Sequence, residues 1–83
     1  MRDIQRQSIQ RSVLPAVLEQ HGGSEYLLSN SGKRSEALRH AESIAEVALS
    51  VGLVLSDING LTEKTYETIM ELIESRKEVK PQK

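Results

Sequence analysis

Cysteine is absent, and so are phenylalanine and tryptophan. Without cysteine there is no disulfide and no thiolate metal site. Without Phe or Trp, and with two Tyr, the core must be built from aliphatic side chains and alanine. Histidine occurs twice, at His21 and His40, with no paired-ligand spacing around either. No metal centre and no cofactor is therefore expected. No apolar run approaches the ~20 residues that cross a bilayer. The opening MRDIQRQSIQRS lacks the apolar stretch of a signal peptide. These absences predict a cytoplasmic protein without membrane contact.

The 83 residues bound the chain to one domain, 1–83. Chains this short bury a modest share of their surface and usually need a disulfide, a metal or a partner. Here only the partner is left, so self-association or docking on another protein is expected. The formal net charge of -1 gives no strong overall attraction to nucleic acid. The charge is uneven, however. Arg2, Arg6, Arg11, Lys33, Arg34 and Arg39 make the first half basic. Glu42, Glu46, Asp57, Glu63, Glu67, Glu71 and Glu74 make the second half acidic. The two halves can attract each other within a dimer, or present two different surfaces.

The strongest positive signal runs from Lys33 to Val51. Ala37, Ala41, Ile44, Ala48 and Val51 recur at steps of four, three, four and three. That is a seam down one face of an α-helix, widened by Leu38, Ala45 and Leu49. Its alanines favour helix and let a neighbouring backbone come close. A second seam, Tyr66, Ile69 and Ile73, marks a last helix over about 62–77. Thr62 is its expected N-cap, with Arg76 and Lys77 suiting its C-terminal end.

The rest of the chain is punctuated by breakers. Residues 1–13 read as a polar helix or arm anchored by Ile4, Ile9 and Val13. Pro15 predicts a break or kink, with a short helix restarting to Gln20 and ending at Gly22-Gly23. Residues 24–28 are too short to assign. Ser29 to Gly32 reads as a loop, with Ser31 as N-cap of the central helix, and Gly52 as that helix's end. Asp57-Ile58-Asn59-Gly60 reads as a turn. Residues 78–83 are expected to form a disordered tail.

Four patterns bear on chemistry. Ser31, Lys33, Arg34 and Ser35 put hydroxyls and cations at a helix start, where free N–H groups attract anions. They are a candidate contact for an anion or a partner, although a capped helix with solvated cations is the commoner outcome. Residues 35–46 resemble phage sponge proteins that sequester cyclic oligonucleotides, through Ser35, Ala37, Leu38 and Glu42. That likeness covers about a dozen residues of a common helix type, and no function is taken from it. Residues 44–61 resemble the helix-turn-helix pattern, with Ala48 and Gly52 four apart and Val47, Val51, Leu53, Ile58 and Leu61 as its apolar positions. This resemblance implies a DNA-reading helix starting near Leu55, with Arg2, Arg6 and Arg11 as a basic arm. Against it, Asn59-Gly60 falls inside that helix, and no Arg or Lys lies between Val54 and Thr62. Finally, His21 reads as a helix-end cation and His40 as a solvated residue, while the helical glutamates read as a solvated face. No nucleophile motif or apolar carboxylate pair is present, so no enzyme is expected.

The sequence thus predicts an all-α bundle of three to four helices built on an antiparallel hairpin, completed by oligomerisation. The central helix is expected to pack on the last. The expected role is a non-enzymatic protein-binding regulator or adaptor, with a protein or a second copy as partner. DNA binding through residues 44–61 is the alternative.

Overall fold

Helix α1 (Arg2–Gln20) is the axis of the fold and touches every other helix. It belongs to a computed structural model that describes residues 2–78, and among these there are five helices and no strand. The others are α2 (Ser24–Leu28), α3 (Ser31–Ser50), α4 (Leu55–Asn59) and α5 (Tyr66–Glu78). The tail expected over 78–83 lies outside the described residues, except that Glu78 closes α5.

The polar α1 is ordered because one face is not polar. Ile9, Val13, Ala16 and Val17 are buried, at helical spacing. This stripe crosses Pro15, and the predicted break does not occur: Pro15 lies inside one continuous helix. The pyrrolidine ring is on the exposed side, so the bond it denies the Arg11 carbonyl is lost where water can replace it. Burial of the residues on both sides of the proline outweighs the local preference.

The partner of α3 is also different from the expected one. Its seam, Ala37, Ala41, Ile44, Ala45 and Ala48, is buried chiefly against α1 and not against α5. The two helices run in opposite senses. Arg6, early in α1, pairs with Glu42 and Glu46, whereas His21, just after α1, meets His40. Ile69 and Ile73 of α5 are buried in the same core, beside Leu53 and Ile58. Val51 and Tyr66, at the seam ends, are half-buried. Leu38, assigned to the apolar face, lies mostly outside it at 39% exposed.

The helix ends follow the glycines. Gly22 and Gly52 have φ of 118° and 86°, a region that a Cβ disfavours. Each is followed by a six-to-one bond, Gly23 N–H to Leu18 O at 2.8 Å and Leu53 N–H to Ala48 O at 2.9 Å. Each glycine N–H itself bonds to the carbonyl three residues back, which completes a Schellman ending. Buried Leu53 then turns the chain back into the core. Gly52→Ala is expected to cost about 1–2 kcal/mol from backbone strain alone, because nothing lies within 4 Å of an added Cβ. Chemical denaturation of that single variant measures it.

The caps correct three local expectations. Asn30, not Ser31, caps α3, its side-chain oxygen accepting the Lys33 N–H at 3.5 Å. Asn caps as well as Ser does, and it stands one residue earlier. Thr62 caps nothing: residues 62–65 are non-helical, and Thr65 Oγ1 accepts the Thr68 N–H at the start of α5. The expected turn at 57–60 is a one-turn helix followed by Gly60. Asp57 makes it so, because its Oδ2 accepts the Val54 N–H at 2.9 Å. The other oxygen of Asp57 pairs with Arg76 at 3.3 Å, tying α4 to α5.

Candidate functional site

The residues picked out for an anion site do not enclose one. Ser31, Lys33, Arg34 and Ser35 are all exposed on the first turns of α3. The Lys33 ammonium is answered by Glu36 at 3.8 Å, one turn along the same helix. The charge asymmetry is partly spent inside the chain. Arg6 donates to Glu42 at 3.0 Å and lies 3.3 Å from Glu46, with its side chain only 18% exposed. The second element of the helix-turn-helix segment is α4, five residues long, with Ile58 in the core and Asp57 committed to Arg76.

The side chains that do converge are His21, His40 and Tyr66. They come from the turn just after α1, the middle of α3 and the first residue of α5. His21 Nε2 and His40 Nδ1 are 2.9 Å apart, and His40 Nε2 is 3.2 Å from the Tyr66 hydroxyl. The rings meet edge to face, with centroids 5.2 and 5.3 Å apart. Each α-helix contributes for a simple reason. Gly22 and Gly23 turn the chain sharply after His21, leaving the imidazole beside α3. His40 stands three residues after Ala37 and four before Ile44, both buried, so it lies on the edge of the buried seam. Sequence reasoning assigned it to the solvated side and missed that register. Burial, and then the neighbouring His21, hold the His40 pKa below its ordinary value.

Beside this junction is a cleft of about 540 Å³ between the C-terminal half of α1 and the start of α5. Pro15 and Ala16 form its apolar wall, with Glu19, Gln20, Lys64 and Glu67 at the rim and Tyr66 shared with the junction. Lys64 Nζ donates to Ser12 Oγ at 2.9 Å, and Ser12 Oγ donates to Asn59 Oδ1 at 2.7 Å. These bonds pin the α4–α5 connection to α1. Among the described residues, no three His, Cys, Asp or Glu side chains gather as a metal site. No helix there is long and apolar enough to cross a membrane.

A second concavity is apolar. Ile4, Gln5 and Ser8 of α1 face Val54, Leu55 and Ser56 across a groove of about 290 Å³. Ile4 is 62% and Val54 47% exposed, so two large aliphatic side chains flank it in water. The chain matches no family model, no curated protein and no solved structure.

Proposed function

We propose that the chain is a non-enzymatic helical module that binds another protein by burying apolar side chains. The observation that carries this reading is the Ile4–Val54 groove. Two large exposed aliphatic residues flank one concavity there, whereas the other exposed ones, Leu28, Leu38 and Val47, line no part of it. The chemistry suited to it is the apolar face of a helix, whose side chains enter the groove while polar neighbours stay in water. The module would then act as a regulator or adaptor through occupancy alone. A second copy of the chain is the first partner to examine, since a small aliphatic core gains most from added burial.

The test uses Ile4→Asp and Val54→Asp in the full chain. Both positions are exposed, so each variant is expected to melt close to wild type. Each is expected to lose self-association by light scattering, or the protein captured from the native cell. Unchanged mass and unchanged capture in both variants would remove the reading. A DNA-binding role has less support, because Arg6 is held by two glutamates and α4 is a single turn. A salt series of gel shifts on genomic fragments separates the two, since phosphate contacts impose a steep salt slope.

A further inference from the structure

We propose that His21, His40 and Tyr66 form a proton-operated clasp, in which one proton fixes the direction of the hydrogen-bond chain and a second breaks it between the two imidazoles. The argument starts from donor counting. A neutral imidazole has one donor nitrogen and one acceptor nitrogen, and a charged one has two donors. His40 uses both nitrogens, Nδ1 toward His21 and Nε2 toward the Tyr66 hydroxyl. With both rings neutral the chain can run from Tyr66 to His21 or the other way, because the hydroxyl both donates and accepts.

The first proton removes that freedom. On His21 it makes Nε2 a donor, so His40 Nδ1 must accept. His40 then carries its proton on Nε2 and donates it to the Tyr66 oxygen. Both bonds survive, pointing from α1 through α3 to α5. The second proton, on His40, places two donors face to face across 2.9 Å. The bond between the histidines is lost, and two positive charges repel at the same spot. His21 then parts from His40, while His40 Nε2 goes on donating to the Tyr66 oxygen, so the clasp opens between the end of α1 and α3.

The surroundings suit such a device. Within five residues of these three side chains along the chain, the other titratable groups are Glu19, Glu25, Tyr26, Glu36, Arg39, Glu42, Glu63, Lys64, Glu67 and Glu71. Among the described residues, no carboxylate forms an ion pair with either imidazole. The depressed His40 pKa fixes the sign of the linkage: the unfolded chain binds the proton first as pH falls. The clasp's contribution to stability is therefore complete above the ordinary value of 6.5 and declines as pH drops from there toward the folded value.

Nitrogen NMR of histidine-labelled full chain, titrated downward from pH 8, tests the clasp. The nitrogen shifts report which nitrogens of each ring carry a proton. His40 is expected to charge only below its ordinary value of 6.5, and with that step the proton shared between His21 Nε2 and His40 Nδ1 should be lost. In His21→Ala, His40 is expected to titrate at higher pH, because the facing ring and its charge are gone. That change lies outside the core, at a half-buried site, and circular dichroism checks the fold. The proposal is overturned if the His40 midpoint is the same in His21→Ala, or if the His21 nitrogens do not respond when His40 charges.

Discussion

Leucine at position 48 is expected to destabilise the fold by ~1–3 kcal/mol. Ala48 is fully buried on α3, and so is Ala41 one heptad before it. Both belong to the α3 face that α1 packs against, where a methyl group sets how closely two backbones approach. A leucine adds three carbons to a site with no exposed surface, so α1 must move or the side chain must leave its rotamer. Helix propensity does not offset this, since Leu ranks just below Ala. For a domain of this size each kcal/mol lowers the melting temperature by about 4–8 °C. Ala41→Leu is expected to behave alike. Glu42→Ala is the control. Its side chain is 51% exposed, and Arg6 keeps Glu46, so the change should stay within about 0.5 kcal/mol. Wild-type melting in both leucine variants would mean that the α1–α3 contact is wrong.

The same seam marks what could and could not be learned from the residues alone. The four-three spacing of Ala37, Ala41, Ile44 and Ala48 identifies a buried face because helical periodicity is a local property. Gly22 and Gly52 identify helix ends for the same reason, since a positive φ is a local demand. Periodicity says which face is buried but not by what. Ile69 and Ile73 offered α5 as the obvious partner, while α1 looked too polar, with Ile9, Val13 and Val17 spaced across a proline. The cap at Asn30 and the late start of α5 depend on backbone angles that several nearby residues could have adopted. The junction of His21, His40 and Tyr66 was least legible. Its three members are 19 and 26 residues apart, and only the packing of three helices brings them together. One clue was present: His40 falls at seam spacing between Ala37 and Ile44. A histidine in that register faces protein on one side, and so needs partners for its nitrogens.

Pro15→Ala is expected to change stability in the opposite direction, raising it by about 1–3 kcal/mol. Proline inside a helix costs ~3 kcal/mol relative to alanine, through a missing N–H and a ring that crowds the preceding turn. In this chain the helix continues regardless, from Arg2 to Gln20. The cost is therefore carried within the native state. Alanine would return an N–H to the Arg11 carbonyl four residues back. It removes no buried contact, because Pro15 is exposed. Part of the gain is offset, since proline also restricts the unfolded chain, an effect of about 0.4–1 kcal/mol. The net stays favourable because the helical penalty is the larger quantity. Pro15 also forms part of the wall of the cleft beside Tyr66, so loss of its ring would reshape that cleft. Chemical denaturation of Pro15→Ala, with helicity followed by circular dichroism, measures the effect. A stabilised variant with higher helicity is the expected result. A destabilised one would mean that the native chain turns at Pro15, as the proline alone suggested, and that α1 is two helices.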